Sequence, residues 1–518
     1  MPISRTSRRI VTAGLAGAFV ICAMAAQDGS VAQQFPVLLT NASAPAIDRG
    51  LRESDLPRGP GSWRTRLARG QADAALFLRG SIIVKFRAGT TVGAQRAMLA
   101  RVNGAASPAL AYAAFDIVSI DPSDDPEAAA SRLAAQPDVE YAQARYRVRP
   151  AFVPNDPLYA RQWNYPALDM ERAWDINPGA TTSITVAVLD SGVAYRSLTL
   201  AYSAGPLSLG PGSPILPALG LVTVPFAAAP DLGSADRFVA PRDFIWDTNT
   251  PVDLDGHGTH VTGTIGQLTN NGVGGAGMAF NVRIMPIKVV DGAWDDIFNS
   301  PYIGTDDVVA RGIRYAVDNG AQVLNMSIGR DGAPAPAVRA AITYAVSKGA
   351  FVVVAGGNGF LDGNPVERLA EFAPAIDGMV AVGAIGRSLR RASYSTTGPH
   401  IELVAPGGDQ TVDGTAGGVL QQTFDFDLVD TYLNGPSRYG APRFDAFAYH
   451  FLEGTSMATP HVAGFAALLI QQGITNPAAI EAAMKRFATD LGPEGRDQAY
   501  GYGLINPRAS LRGLGLTK

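Results

Sequence analysis

Residues 184–193 have the sequence Ile-Thr-Val-Ala-Val-Leu-Asp-Ser-Gly-Val, an apolar run that ends in an acid and a glycine turn. An apolar strand without alternation is typical of a parallel sheet whose two faces are both covered. Similar runs, separated by helical patterns, follow at 282–289, 323–327, 350–355 and 379–382. The large part of the chain is therefore predicted to be an α/β domain with a doubly wound, mostly parallel sheet flanked by helices.

The residues that follow these strands are the candidates for function, because ligands of such folds bind outside the carboxyl ends of the strands. Asp190 ends the first strand, although a lone acid there is more often a turn cap. Residues 255–264 (Asp-Gly-His-Gly-Thr-His-Val-Thr-Gly-Thr) surround His257 with small residues. His257 and His260 have the i, i+3 spacing of a metal pair, but no His-Glu-x-x-His pattern or third ligand accompanies them.

A third segment, residues 454–464 (Gly-Thr-Ser-Met-Ala-Thr-Pro-His-Val-Ala-Gly), places Ser456 at the start of an apolar helix. A serine there is commonly an N-cap, but the small neighbours would let a substrate approach its hydroxyl. A serine becomes a nucleophile when an imidazole takes its proton, and that imidazole needs a carboxylate to orient it. Asp190, His257 and Ser456 together supply these three groups.

With these three segments the chain resembles the subtilisin-like serine peptidases over residues 155–515, and acid, histidine and serine follow in the same order. The resemblance implies that Asp190 orients the base, that His257 is the general base and that Ser456 is the nucleophile. Residues 355–359 (Ala-Gly-Gly-Asn-Gly) resemble the oxyanion segment of the family. By that resemblance Asn358 donates its amide to the oxyanion, alongside the Ser456 backbone N–H.

Residues 324–329 (Leu-Asn-Met-Ser-Ile-Gly) resemble the substrate-binding strand of the family. Ser327, Ile328 and Gly329 would then pair with an extended peptide in the manner of a β-strand. Gly329 and Gly357 would leave room for the side chain that precedes the scissile bond. The surroundings of Ser327 contain no acidic cluster, and this neutral character favours broad over narrow specificity.

The amino-terminal segments predict export and self-processing. Residues 1–26 combine Arg5, Arg8 and Arg9 with a charge-free apolar run and a small-x-small cleavage site, which indicates a signal peptide. The alternative, a transmembrane helix, needs about 20 apolar residues, and this run is shorter. No stable membrane anchor is expected, and the mature protein is predicted to be secreted, either to a periplasm or out of the cell.

Residues 27–79 are predicted to be a loosely ordered leader, followed by a small ferredoxin-like α/β domain at 80–148. Its pattern is strand, helix, strand, helix, strand, and Asp125-Pro126 predicts the N-cap and first residue of the second helix. The domain resembles the propeptide of such peptidases, which implies a folding template and intramolecular inhibitor removed by self-cleavage within 146–159. The alternative is an accessory domain that stays attached.

The peptidase domain is predicted over 149–518, with two insertions. The first, 197–235, is rich in Leu, Pro, Ala and Gly, and could form a flap, a partner surface or a long loop. The second, 409–450, is rich in aromatic residues, which either shape substrate choice or pack into the core.

Composition narrows the function classes further. The 518 residues carry a formal net charge of −4, which argues against a nucleic-acid partner. The chain has one cysteine, Cys22, so a disulfide framework and a cysteine-based metal cluster are excluded. No cofactor is required for the chemistry. Structural calcium stays open, because Asn270 and Asn271 resemble a calcium loop of the family while the acid expected soon after Asp190 is not visible.

The predicted function is that of an exported, self-processing serine endopeptidase acting on polypeptides through an acyl-enzyme on Ser456. One alternative is a processing peptidase of narrow specificity. Another is a catalytically silent binding protein on the same fold, which the presence of Asp190, His257, Asn358 and Ser456 disfavours. A lipase-like hydrolase would need a Gly-x-Ser-x-Gly elbow, which the Ser456 segment lacks.

Overall fold

A computed structural model describes residues 51–52, 77–106, 113–146, 152–208, 215–432 and 439–513. These residues form two compact units, residues 77–146 and residues 152–513, and strand 51–52 belongs to the second. The predicted signal peptide, most of the predicted leader and part of the predicted self-cleavage region lie outside the described residues. Within the described ranges, no helix is both long enough and apolar enough to cross a membrane.

The first unit is a four-stranded antiparallel sheet with two helices. After β1 (Leu51–Arg52), which pairs within the second unit, its elements are β2 (Phe77–Phe86), α1 (Val92–Ala100), β3 (Ala105–Ala106), β4 (Asp116–Ser119), α2 (Pro126–Ala134) and β5 (Val139–Tyr146). The strand order is β3-β4-β2-β5. The Asp125 carboxylate accepts the Glu127 N–H at 2.9 Å, so the predicted N-cap of α2 is confirmed. The small α/β fold predicted for this region is also confirmed.

The second unit contains the remaining elements. Its strands are β6 (Thr185–Asp190), β7 (Leu198–Ala204), β8 (Leu207–Ser208), β9 (Ile215–Leu216), β10 (Gly220–Phe226), β11 (Arg242–Asp243), β12 (Arg283–Lys288), β13 (Val323–Met326), β14 (Phe351–Ala355), β15 (Met379–Ile385), β16 (Leu403–Pro406), β17 (Val419–Phe424) and β18 (Phe447–Leu452). Its helices are α3 (Asn164–Ala167), α4 (Met170–Trp174), α5 (His257–Gly266), α6 (Ala293–Ile297), α7 (Asp306–Asp318), α8 (Pro336–Ser347), α9 (Gln410–Asp413), α10 (Phe426–Val429), α11 (Thr455–Gln471), α12 (Pro477–Phe487) and α13 (Pro507–Gly513).

A seven-stranded parallel sheet with the order β11-β12-β6-β13-β14-β15-β16 is the centre of this unit. Val186 and Val188 of β6 pack into one core with α5 and α11, whereas Ala187 and Leu189 pack into a second core with α7 and α8. Both faces of the strand are therefore buried, which explains its lack of alternation and confirms the predicted doubly wound sheet. The edge strands β11 and β16 are only two and four residues long, and the sequence pattern did not predict them as strands.

The two insertions are folded and pack against each other. The first forms an antiparallel hairpin of β7 and β10. Tyr202 of this hairpin stacks on Phe298 with ring centroids 4.4 Å apart, and Phe226 stacks on Phe444 of the second insertion at 5.3 Å. Phe424 and Phe444 are fully buried. Packing therefore accounts for these aromatic residues of the second insertion.

A fully buried ion pair lies at the carboxyl end of the sheet. Lys288 ends β12 in register with Asp190, and its Nζ is 2.8 Å from Oδ2 of Asp295. The same Nζ donates to the Val252 carbonyl, and Trp246 Nε1 donates to the other Asp295 oxygen at 2.6 Å. The pair therefore joins β12, α6 and the segments on either side of residue 250.

We expect Lys288→Met to lower the free energy of unfolding by about 3–5 kcal/mol, because it leaves the Asp295 carboxylate buried without its cation. The double variant Lys288→Met/Asp295→Asn removes both charges and should lower the free energy of unfolding by less than Lys288→Met alone. Chemical denaturation in a Ser456→Ala background measures both effects without autolysis.

The matched control is Arg443→Met, which breaks the exposed ion pair with Asp445. An exposed pair contributes at most about 1 kcal/mol. If Lys288→Met and Arg443→Met lowered the free energy of unfolding by the same amount, the buried pair would not contribute more to stability than the exposed one.

Candidate active site

The candidate residues lie at the carboxyl ends of three neighbouring strands. Asp190 is the last residue of β6, Ser327 follows β13 directly, and Asn358 lies three residues beyond the end of β14. These strands are adjacent in the sheet. His257 begins α5 and Ser456 is the second residue of α11, and the two helices pack against each other.

The Asp190 carboxylate and the His257 imidazole form a short, buried hydrogen bond. Nδ1 of His257 lies 2.6 Å from Oδ1 of Asp190, and the same oxygen accepts the Ser191 N–H at 2.8 Å. The two side chains are 8% and 2% exposed, so water competes little for this bond. A proton on Nδ1 makes Nε2 the basic nitrogen of the ring.

The charge of Asp190 also sets the protonation of the ring. Burial is the largest single influence on the pKa of His257 and lowers it. The Asp190 carboxylate, its hydrogen bond and the nearby Asp255 and Asp253 together raise the pKa by more, so it lies above its ordinary value. The imidazolium that forms when His257 accepts a proton is therefore stabilised by its surroundings.

Asp253 holds the turn before His257. Its carboxylate is fully buried and accepts five hydrogen bonds: from Ser191 Oγ, from the N–H groups of Asp255 and Gly256, and from the N–H and hydroxyl of Thr259. The Ser191 hydroxyl in turn accepts the Gly258 N–H at 3.0 Å. The end of β6 is thereby fixed to the start of α5.

Glycine is required at position 258 by this close approach. A Cβ there would lie 2.1 Å from the Gly192 carbonyl oxygen and 3.1 Å from the Asp190 Cβ. Any side chain would push α5 away from β6 and lengthen the bond between Asp190 and His257. The glycine beside the histidine in the sequence is thus explained by packing.

Ser456 and Ser327 are linked through each other's backbone. The Ser456 hydroxyl donates to the Ser327 carbonyl at 3.1 Å, and the Ser327 hydroxyl donates to the Ser456 carbonyl at 2.8 Å. Asn325 Nδ2 donates to the Ser327 hydroxyl at 3.0 Å. This exchange fixes the start of α11 against the segment that follows β13, and Ser456 remains partly exposed.

Asn358 is oriented by the residue before the serine. Its Oδ1 accepts both the N–H and the hydroxyl of Thr455, each at 2.9 Å. The donor end, Nδ2, therefore lies on the other side, and a Cβ at Gly454 would be 3.4 Å from it. The Asn358 side chain is exposed. The Asn358 amide and the Ser456 N–H at the start of α11 can both donate to an anion at Ser456.

Comparison with known proteins agrees with this geometry. Residues 181–503 match the family model described as the subtilase family, and residues 65–144 match the fervidolysin N-terminal prodomain. The chain belongs to the subtilase family. It is a subtilisin-like serine protease with an N-terminal prodomain.

Individual relatives cover most of the chain. A thermophilic serine proteinase of Bacillus sp. (strain AK1) is 30% identical over 434 residues, which are 83% of this chain and 86% of that protein. An extracellular protease of Xanthomonas campestris pv. campestris is 29% identical over 73% of this chain and 60% of its own length. The solved structure of a protease from Pseudoalteromonas arctica has a TM-score of 0.52 and 27% identity, covering 70% of this chain and 99% of that one.

His260 is part of the core of this subtilase. It is fully buried, its Nε2 lies 3.0 Å from the His450 carbonyl oxygen, and burial lowers its pKa to about 3. Across the described part of the chain, no cluster of three or more His, Cys, Asp or Glu side chains is arranged to hold a metal ion. The arrangement gives no support to the metal-pair alternative for His257 and His260.

The predicted calcium loop gathers two buried acids. The N–H groups of Asn270 and Asn271 donate to the Asp156 carboxylate at 2.7 and 3.1 Å. Asn271 Nδ2 donates at 2.8 Å to Asp231, which is fully buried. Asp231 lies within the first insertion, and its other oxygen accepts a hydrogen bond from Gln267 Nε2. Carboxylate and amide oxygens are ligands that suit Ca²⁺.

One acid near the substrate strand was missed by sequence reasoning. Oε1 of Glu367 accepts the Arg330 N–H at 2.6 Å, directly after Gly329. Glu367 is therefore one buried acid beside the segment 327–329, around which no acidic cluster was expected. Glu367 is far from this strand in the sequence, and its neighbours contain no motif that would have indicated the contact.

Proposed function

We propose that this subtilase is an exported serine endopeptidase that cleaves polypeptides through an acyl-enzyme on Ser456. The observation that carries the proposal is the buried 2.6 Å bond between Asp190 and His257 at the same sheet edge as Ser456 and Asn358. This is the arrangement that activates a serine hydroxyl.

In the proposed reaction, His257 accepts the proton of the Ser456 hydroxyl while Oγ attacks the scissile carbonyl carbon. Asn358 Nδ2 and the Ser456 N–H donate to the resulting oxyanion. Protonated His257 then gives its proton to the leaving amine, which departs and leaves an ester on Ser456. Water, deprotonated by His257, hydrolyses that ester and restores the serine. All of these groups come from the chain, so the proposed chemistry needs no cofactor.

Two features support a self-processing, exported precursor. The first unit matches a prodomain family, which agrees with an intramolecular inhibitor removed by cleavage within 146–159. The amino terminus has the charge and hydrophobic pattern of a signal peptide. A relative named as an extracellular protease agrees with export.

We expect the wild-type chain, expressed without residues 1–26, to lose about 120–130 residues by self-cleavage, whereas Ser456→Ala stays full length. The length of the lost segment follows from the predicted junction within 146–159. Only the wild type should be cut, because Ser456→Ala lacks the nucleophile. Intact mass spectrometry of both proteins measures the effect and locates the junction.

Ser327→Ala is the matched control, since it removes a neighbouring hydroxyl that is not the proposed nucleophile. It should slow processing without abolishing it. If wild type and Ser456→Ala were cut alike, a host protease would be responsible. If neither were cut, self-processing would be wrong.

Activity should fall as the pH decreases through the pKa of His257, because the base must be neutral. Asp190→Asn removes the carboxylate that raises this pKa and leaves burial, which lowers it. The acid limb of kcat/KM should therefore move to lower pH, while kcat falls by about 10⁴. A pH–rate profile on one chromogenic peptide measures both changes. An acid limb that stayed in place would show that Asp190 does not set the protonation of His257.

Calcium binding at the loop of Asn270 and Asn271 stays a prediction, and Asp156 and Asp231 are acids that contact this loop. A structural cation there would hold the segment before α3 to the loop after α5. A ligand that binds only the folded state raises the unfolding temperature, so Ca²⁺ should raise it relative to EDTA. Asp231→Asn should abolish the difference, whereas the exposed Asp247→Asn should keep it. Equal unfolding temperatures in Ca²⁺ and EDTA for the unaltered chain would contradict the prediction.

A further inference from the structure

The peptide group between Gly256 and His257 is held from both sides. Its N–H, which belongs to His257, donates to Oδ1 of Asp255 at 3.0 Å. Its carbonyl, which belongs to Gly256, accepts the hydroxyl of Thr423 at 2.7 Å. The same carbonyl accepts the first hydrogen bond of α5, from the His260 N–H at 3.1 Å. One acid of the turn itself and one hydroxyl from β17 therefore fix the orientation of this peptide group.

The orientation of this peptide group affects where the His257 imidazole lies. A peptide group is planar, so its carbonyl and its N–H turn together, and the Cα of His257 is the next atom of the chain. The imidazole must keep its 2.6 Å bond to Asp190. A misplacement of about 1 Å can lower the rate of a catalysed step by about 100-fold. A bond that fixes the peptide group therefore helps to fix the proposed base.

Gly256 is adapted to the close approach of β17. Its φ of +111° lies in the left-handed region, which favours glycine. A Cβ there would lie 2.8 Å from Oγ1 of Thr423, and 3.2 and 3.3 Å from ring carbons of Phe426 and Phe424. Both the backbone conformation and the space that these side chains occupy thus require glycine at position 256.

The hairpin of β17 and β18 contacts α5 a second time and leads to Ser456. The carbonyl oxygen of His450, in β18, lies 3.0 Å from Nε2 of His260. β18 ends at Leu452, four residues before Ser456. The hairpin therefore touches the helix that begins with the proposed base, and the chain continues from it into the helix that carries the proposed nucleophile.

Thr423 is fully buried, and so is its hydroxyl group. Burying a hydroxyl is unfavourable unless it is hydrogen-bonded, and the Gly256 carbonyl satisfies this requirement. Valine has nearly the same shape and would fill the position without a polar group. The bond to the turn before His257 therefore accounts for a polar side chain at this position.

We propose that Thr423 is a positioning residue for the proposed general base. Its hydroxyl orients the peptide group that precedes His257, and β18 connects the same hairpin to Ser456. The inference rests on the proposed function and adds a residue of the second insertion to those on which the reaction depends.

A purely structural role for Thr423 makes a different prediction. If its bond only stabilises the fold, removal of the hydroxyl lowers the unfolding temperature, and each folded active site turns over as fast as before. If the bond positions His257, kcat per active site falls in protein that is correctly folded. KM should change little, because Thr423 is fully buried.

The experiment compares Thr423→Val, which keeps the shape and removes the hydroxyl, with Thr423→Ser, which keeps the hydroxyl. A peptidyl phosphonate probe titrates the active sites of the processed enzyme, so that kcat and KM on one chromogenic peptide refer to active protein. Thr423→Val should lower kcat by about 10-fold or more and change KM by less than about 3-fold. Thr423→Ser should keep kcat within about 3-fold of wild type.

The matched control is Thr262→Val. Thr262 is also buried, and its hydroxyl also donates to a glycine carbonyl at 2.7 Å, that of Gly258, but within α5. This variant should keep kcat within about 3-fold of wild type. In a Ser456→Ala background, the two Val variants should lower the unfolding temperature by similar amounts. Should Thr423→Val not fold, Thr423→Ala and Thr262→Ala give the same comparison.

Failure of this inference and failure of the proposed function give different results. If the probe labels the wild type and the two Val variants have equal kcat values, the positioning role is overturned and the serine peptidase is intact. A loss of kcat in Thr423→Ser as large as that in Thr423→Val also overturns it, because the hydroxyl is then not what matters. If the probe does not label the wild type and no peptide is cleaved, the proposed function fails and the inference fails with it.

Discussion

The rest of the site depends on the hydrogen bonds that Asp253 makes between the end of β6 and the start of α5. Asp190 and His257 are 67 residues apart in the chain, and a large insertion separates them. The Asp253 carboxylate fixes the turn before the histidine, and Ser191 carries that constraint back to the strand. The turn that carries His257 is thereby fixed to the end of β6, next to Asp190.

The parallel sheet provides a second constraint, because it brings the ends of β6, β13 and β14 together at one edge. Ser327 and Ser456 then hold the end of β13 against α11 by exchanging hydrogen bonds, and Thr455 holds Asn358. Each functional side chain is thus oriented by a neighbour on a different element. The second insertion also contacts this edge, because the Thr423 hydroxyl donates to the Gly256 carbonyl, next to His257.

The sequence predicted the sheet, the small amino-terminal domain and the residues of the candidate triad, because buried strands and glycine-flanked polar residues have local patterns. It did not predict the roles of Asp253 and Glu367. Their contacts are with backbone N–H groups, which every sequence contains, and Glu367 meets its partner only through the fold. The contact between Asp231 and Asn271 was missed for a related reason, because the two residues are 40 positions apart and meet only through the fold.

The buried acids of this unit differ in how their charge is balanced. Asp295 is paired with Lys288, and Asp253 accepts five hydrogen bonds on its two oxygens. Glu367 accepts the N–H groups of Arg330 and Leu369. A buried carboxylate is thus stabilised either by a cation or by several hydrogen-bond donors, and in both cases it holds together the segments that supply them.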